Sequence, residues 1–458
     1  MIGILILITA IYLYLVGNKR ISILIFLGML NKGYQVLTDN VIGIKNLDIA
    51  FIYMVVICIY SQIYEKPPKD EYGIRKHVYW LFAFMLCSVL FSYVHYGFTF
   101  TQILQGSRHL LFFLSYLFLR KIKTKDFLWI LHKFYYITLI VSILYIIQVL
   151  FNLPVLPYTE TIEDVTVDRY TGVARYYNSP VYLNFWILTS ILHRRYISDL
   201  RFSHIAPFVF IIALLCTQGR TAIGITFATL LLGVFVQGRI SSSYRIITII
   251  GIAILPFSDL LISRFEGGKR GGTSDDFENI INGKFIDAVE RGQGVHNMGT
   301  LTYRFAWVYE RAEYLSNRPL GEKIFGLGLI SNSQSEIVRN LYHFKVGLSD
   351  ERGNISQMTT PDIAWGNMLS QWGYVGGILL LSLWIRLLII FYKNKNVHPF
   401  LLLAFLSILQ NILGSFAGAG ISNTALINFY FCFIAAIPSF LKQSKRMINV
   451  NSTPTITS

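Results

Sequence analysis

Long apolar runs separated by short basic loops constrain this chain more than any other feature. The runs fall at 2–17, 21–37, 47–64, 78–95, 103–119, 127–151, 181–193, 204–218, 221–237, 245–262, 366–392, 397–416 and 421–440. A helix needs about 20 apolar residues to cross the hydrocarbon layer. Several of these thirteen are shorter, so twelve to fourteen crossings are expected. The connecting segments 18–20, 65–77, 120–126, 193–203, 237–245, 393–398 and 441–446 hold 20 of the 40 Lys and Arg but only 5 of the 25 acidic residues. Their net charge of +15 is the whole excess of the protein, and the rest balances at 20 against 20. Basic loops mark the cytoplasmic side. Alternation then places the N-terminus outside, every basic loop inside and the C-terminus inside.

The predicted fold class is therefore an all-α polytopic membrane protein. With 54% hydrophobic and 14% charged residues, the chain lies far from the roughly one-quarter charged composition of soluble domains. Its basic excess does not point to nucleic acid, because the charges sit in short loops between apolar runs and suit membrane lipids, as anionic headgroups. Cys58, Cys87, Cys216 and Cys432 all lie inside apolar runs without a CxxC pair, which argues against a disulfide framework or a metal site. The first run, Ile2 to Val16, has no basic residue before it and is followed by Lys19 and Arg20. That polarity predicts a retained first span rather than a cleaved signal.

Four regions follow: membrane helices over 1–263, a large outer loop over 264–365, further spans over 366–441 and a polar inner tail over 442–458. The large loop carries 12 Lys or Arg and 13 Asp or Glu. It opens glycine-rich at Gly267, Gly268, Gly271 and Gly272, then turns helical from Leu301. Leu301, Phe305, Val308, Ala312 and Leu315 share one helical face, and Pro319 and Gly321 end that helix. A second outer segment, 152–180, contains Pro154, Pro157 and an acidic stretch from Glu160 to Asp168.

Arg169, Arg175 and Arg220 stand near span ends on the outer side, against the charge bias. Anion binding would explain them. Arg220 follows the turn Thr217-Gln218-Gly219 and starts the next helix, where a guanidinium beside free backbone N–H groups suits a phosphate. Its alternative is snorkelling to headgroups, as Arg169 and Arg175 could instead pair with Asp164 or Asp168. Arg304, Arg311 and Arg318 recur every seven residues and form a helical stripe, which could equally be a solvated face. Asp362, before the span at 366–392, could accept a proton as a general base or mark a helix start. His296 and His343 are the only histidines of the large loop and are further candidate bases. The chain has no Walker A loop, dinucleotide fingerprint, HExxH or GxSxG, and its inner loops are too short for a nucleotide-binding domain. Chemistry must then proceed in or outside the membrane, driven by the substrate itself.

Together these residues resemble the bacterial O-antigen polymerase and O-antigen ligase superfamily, mainly over 165–385. Arg169-Tyr170-Thr171-Gly172 leading to Asn178-Ser179-Pro180 is similar to its R-x-x-G … N-P segment. Thr217-Gln218-Gly219-Arg220-Thr221 is similar to its T-x-S-R turn, with Gly219 in place of serine. Arg304, Trp307, Pro319 and Gly326-Leu327-Gly328 resemble the R … W … P … G-x-G pattern of the large loop. Asp362 with Gly373 and Gly376-Gly377 resembles the returning segment, where ligases carry a His-Asn pair, so polymerase is favoured.

The resemblance implies a membrane-embedded (GT-C-like) inverting glycosyltransferase of the inner membrane, with its site facing the periplasm. Its substrate would be an undecaprenyl-diphosphate-linked oligosaccharide, polymerised into O-antigen or capsular polysaccharide, with a chain-length regulator as a possible partner. Arg169, Arg175, Arg220 and Arg304 would hold the diphosphate, Asp362 would be catalytic, Arg311 and His343 supporting, and neither metal nor cofactor is implied. A ligase transferring polymer to lipid A core is the alternative enzyme. A repeat-unit flippase is the alternative of another class, but it should show similar halves and charges in mid-span. No such repeat is visible, and Lys133 and Arg386 lie near inner span ends.

Overall fold

A computed structural model describes residues 2–37, 40–41, 44–157, 166–167, 174–176, 179–237, 251, 273–290, 300–329, 359–360, 362–418 and 420–451. In chain order the helices are α1 (Ile2–Leu15), α2 (Lys19–Leu30), α3 (Asn46–Tyr64), α4 (Ile74–Tyr96), α5 (Phe100–Ser107), α6 (Tyr116–Leu119), α7 (Thr124–Phe151), α8 (Leu183–Leu192), α9 (Ala206–Cys216), α10 (Arg220–Gln237), α11 (Thr273–Ile281), α12 (Lys284–Glu290), α13 (Thr300–Ser316), α14 (Leu320–Phe325), α15 (Ala364–Asn394), α16 (Pro399–Gly414) and α17 (Thr424–Asn451). Two short antiparallel ladders complete the described structure, β1 (Asn40–Val41) with β2 (Ile44–Lys45), and β3 (Thr166–Val167) with β4 (Ala174–Arg175).

Six of these helices, α3, α4, α7, α10, α15 and α17, are long and apolar enough to cross a membrane. The chain is thus an all-α, multi-pass membrane protein. Four expected spans are shorter than drawn from sequence: α1, α8, α9 and α16. Turn chemistry cuts them back. Gly17 takes a left-handed φ of 87° after α1, and Tyr182 one of 58° before α8. The expected span 21–37 stops at Leu30, followed by a turn in which Lys32, Gly33, Tyr34 and Gln35 all have positive φ. The expected span 103–119 is not one helix. A 3-10 stretch, Arg108–Ser115, separates α5 from α6. A neighbouring helix takes up one backbone group here, Thr424 Oγ1 donating to His109 O at 2.6 Å, while the side chains of Arg108 and Ser115 pair with those of Asp48 and Asn428. Broken helices persist at membrane depth only when so satisfied. The span expected at 245–262 lies outside the described residues, apart from the single position 251.

Aromatic packing builds the core. Phe26, Tyr53 and Phe118 join α2, α3 and α6, with ring centroids 5.1 Å and 5.4 Å from Phe26. Tyr182 stacks on Phe429 at 4.3 Å and on Phe134 at 5.0 Å, tying α7 and α8 to α17.

Basic loops among the described residues gather at one end of this bundle. Lys19 Nζ meets Glu65 Oε1 at 2.6 Å, Tyr116 OH donates to Asp70 at 2.9 Å, and Lys121 Nζ donates to Glu65 O at 3.0 Å. Arg386 Nε donates to Tyr72 O at 2.9 Å, and the Tyr196 ring lies 5.4 Å from that of His398. The starts of α8, α10 and α15 lie at the opposite end, and there the candidate site is built.

Candidate active site

The site begins with a knot between two turns. Gln218, held at a φ of 51°, donates from Nε2 to Ala174 O at 3.3 Å. That bond fastens β4, which carries Arg175, to the turn that launches Arg220. Thr217 Oγ1 donates to Leu214 O at 2.7 Å and accepts from Gly219 N at 3.3 Å. The turn is thereby closed on both sides. Tyr145 OH donates to Tyr176 O at 2.8 Å and anchors the same strand to α7. Arg220 is the first residue of α10, so its half-buried side chain stands beside backbone N–H groups that a helix start leaves without intrahelical partners.

Arg304 arrives from α13. Asp276 of α11 organises the start of that helix, accepting from Thr302 Oγ1 at 2.7 Å, Thr302 N at 3.2 Å and Leu301 N at 3.3 Å. One turn on, Trp307 is fully buried against Gly366 of α15, where a Cβ would stand 2.0 Å from the ring. Arg311 lies 3.5 Å over the Trp307 ring and donates to Trp307 O at 2.9 Å. These contacts set the rotation of α13 and aim Arg304 at the cavity.

Arg175, Arg220 and Arg304 line one cavity of about 690 Å3. Arg304 is only 17% exposed, and its Nη2 lies 3.8 Å from Asp362 Oδ1. Its buried Nε has no hydrogen-bond partner among the described residues. Burial lowers the pKa of Arg304, Asp362 and Asp276 oppose that, and Arg175 and Arg220 push it down further. A guanidinium stays protonated regardless. Its charge is costly in this setting, and a bound anion would relieve the cost. Among the described residues, three guanidiniums stand against two carboxylates, one of them occupied with a helix start.

Asp362 is not a helix cap. Ile363 occupies the cap position of α15 with no side-chain cap bond, and Ala364 N donates to Ser415 O instead. The loop is held by Asn367, which accepts from Thr360 N at 2.8 Å and donates to Thr360 O at 2.7 Å. The Asp362 carboxylate, 37% exposed, is left facing Arg304.

The expected arginine stripe separates in space. Arg304 reaches the cavity, while Arg311 is buried on Trp307 outside the cavity lining. Arg318 grips Glu322 with two bonds of 2.6 Å and 2.9 Å. Burial would raise the pKa of Glu322, but Arg318 and His95 hold it below the usual range. The buried face of α13 runs through Thr302, Ala306, Trp307, Glu310, Arg311 and Leu315; of the apolar face read in sequence Leu315 is fully buried, while Leu301, Phe305, Val308 and Ala312 are half-buried. Arg169, His296 and His343 lie outside the described residues.

Sequence reasoning missed the cavity floor. Ser407 and Asn411 of α16 both bond Tyr430 OH, at 2.7 Å each. Behind this lining, Gln410 Nε2 donates to Thr226 Oγ1 at 2.6 Å, and Thr226 contacts Asn184 of the cavity wall at 3.4 Å. Ser407, Gln410 and Asn411 fall at i, i+3 and i+4 inside an apolar run. That polar stripe was the available signal, since polar side chains within spans mark functional surfaces.

These features define a class, a helical multi-pass membrane protein with an arginine-lined cavity at one end of its bundle. No protein-family model matches the chain, and no curated protein matches it either.

Proposed function

We propose that this cavity transfers a glycosyl group from an undecaprenyl-diphosphate-linked oligosaccharide, polymerising repeat units into O-antigen or capsular polysaccharide. The observation that carries this reading is the convergence of Arg175, Arg220 and Arg304 on one cavity, with Asp362 at its edge. Planar guanidinium forks match phosphate oxygens. Three of them at the outer end of a membrane bundle suit a lipid-borne diphosphate better than a soluble anion. The hydroxyls and amides of the floor suit a sugar.

In the reaction, an acceptor hydroxyl oxygen attacks the anomeric carbon of the donor. The bond from that carbon to the diphosphate oxygen breaks with inversion, and undecaprenyl diphosphate leaves. Asp362 takes the hydroxyl proton or orients the hydroxyl. The arginines stabilise the negative charge that grows on the leaving diphosphate. Neither nucleotide nor metal is required by this scheme.

The four shorter apolar helices, with α2, the broken α5–α6 segment and 245–262, bring the membrane passes to thirteen in this reading. The cavity then faces the periplasm from the inner membrane, at the end opposite the basic loops. A null mutant tests the proposal through its surface glycan. Single-repeat products support polymerase. Full-length polymer stranded on the lipid carrier shows a ligase instead, and an unchanged ladder rejects both.

A further inference from the structure

We infer that a cleft between α4 and α15, at the basic-loop end of the bundle, binds one anionic phospholipid through its phosphodiester, with the phosphate on Arg386 and Lys393 and an acyl chain along Ile385 and Ile389. The cleft has a volume of about 540 Å3, within the ordinary range of ligand sites. It lies at the far end of the molecule from the arginine cavity and does not depend on what that cavity does.

The position of Arg386 is the first reason. It sits eight residues before the end of α15, about 12 Å inside the helix at 1.5 Å per residue. It is exposed there beside Ile385 and Ile389, themselves 42% and 46% exposed. A cation on an outward face among isoleucines is costly in a membrane unless anions or backbone carbonyls meet it, and the one carbonyl bond made by Arg386 occupies one of its five N–H donors. Lys393 lies two turns further on, on the same side of the helix. Neither cation pairs with a carboxylate among the described residues.

The second reason is that the guanidinium is held in place. Its Nε donates to Tyr72 O at 2.9 Å. Gly73 has a left-handed φ of 64°, and a Cβ built there would stand 2.6 Å from Arg386 Nη2. The fork therefore rests against bare backbone, which a side chain at this position would displace. Below it, His77 Nε2 lies 2.9 Å from Leu379 O and 3.1 Å from Ser382 Oγ, joining α4 to α15 at the base of the cleft.

Charge and shape select the ligand class. Glu71 also lines the cleft, so Arg386 and Lys393 leave one positive charge in excess. A phosphodiester carries one negative charge, whereas a free phosphate approaches two near neutral pH. One wall is basic and the other aliphatic, which matches a lipid with its phosphate at the rim and its chain against the isoleucines. Zwitterionic lipid offers the same phosphate but brings a second cation to an already positive cleft.

The test uses the full chain purified in a mild detergent, titrated with phosphatidylglycerol, phosphatidylcholine of the same chains, or inorganic phosphate. Retained lipid is counted by native mass spectrometry, and thermal unfolding is followed in parallel. One phosphatidylglycerol should bind saturably and raise the unfolding temperature, with phosphatidylcholine far weaker and inorganic phosphate without effect. Each cation contributes roughly fivefold. Lys393→Gln should lose about that, and Arg386→Gln with Lys393→Gln about 25-fold. Lys393 makes no hydrogen bond among the described residues, so Lys393→Gln keeps the test alive if the double variant does not fold. Lys395→Gln, whose ammonium lies 3.6 Å over the Tyr392 ring outside the cleft wall, should bind as wild type. Unchanged phosphatidylglycerol binding in folded Lys393→Gln and double variants would overturn the site. Equal binding of phosphatidylcholine, or full competition by inorganic phosphate, would overturn the phospholipid assignment.

Discussion

Arg220 and Arg304 carry the most weight at the scale of single residues. Each presents a planar fork to the cavity, and removing a donor of this kind lowers rates about 100- to 1,000-fold in other enzymes. Arg220→Ala and Arg304→Ala should each reduce polymer formation by that order, measured as glycan ladder per unit of expressed protein. The corresponding Lys variants should recover little, because an ammonium is a point charge without the bidentate geometry. Near wild-type polymer from both Ala variants would refute the diphosphate assignment. Asp362 permits a cleaner experiment than its position in the sequence suggested. Asn caps a helix about as well as Asp, and the cap position belongs to Ile363 in any case, so Asp362→Asn tests the carboxylate and not a cap. Asp362→Asn removes a carboxylate that faces the buried Arg304, so some loss of stability is expected, while polymerisation per unit of folded protein should be abolished. A stable, active Asp362→Asn protein would remove Asp362 from the mechanism and leave His296 and His343 as the remaining candidate bases.

The contact between α13 and α15 decides, at the scale of elements, whether the residues act together. Trp307 fills the space left by the missing side chain of Gly366. Gly366→Ala must push a buried indole aside, and overpacking of this kind costs about 1–3 kcal/mol. We expect a lower unfolding temperature and a loss of activity greater than the loss of folded protein, since Arg304 moves with the helix. Gly224→Ala in α10 is the control. No atom lies within 4 Å of its added Cβ, so it should unfold no earlier than wild type. The docking of α14 has a pH dependence of defined sign. Glu322 has a pKa lowered from its usual 4.5, because Arg318 and His95 outweigh the effect of burial. A depressed carboxylate stabilises the fold above its unfolded pKa, and that contribution disappears as pH falls through the folded value. Protection of the Gly326, Leu327 and Leu329 amides, taken as exchange relative to the intrinsic rate at the same pH, should fall as pH drops below about 4.5, and Glu322→Gln should remove the transition. Protection factors that stay constant with pH in this range would show that the Arg318–Glu322–His95 cluster does not secure α14.

The decisive property of the whole molecule is which end faces outward. The basic loops meet at one end and the arginine cavity opens at the other, so labelling of a single site reports on all of them. In a variant lacking native cysteines, a cysteine at Ser335 should react with an impermeant maleimide added from outside, and one at Ser444 only after permeabilisation. The reverse pattern would invert the protein and place the cavity on the cytoplasmic side, where no periplasmic polymerisation could occur.

Helical class, membrane location and the two-ended distribution of charge were all legible in the chain, because each rests on composition and on runs longer than a helical turn. Arg175 and Arg220 stood out for a related reason, as charges placed against the bias of their side, whereas Arg304 was visible only as one member of a seven-residue stripe and Asp362 only by its place before a span. Tertiary structure decided what needs contact between segments far apart in sequence. The broken 103–119 segment depends on bonds such as Thr424 to His109, which no local pattern announces. The fate of Arg311 depends on Gly366, since only that glycine admits Trp307 and turns α13 so that Arg304 faces the cavity while Arg311 is buried. Asp362 is freed from capping by Ser415, fifty-three positions away. Periodicity records which residues prefer to be buried or wet, but the partner that satisfies each of them is chosen only when the helices pack.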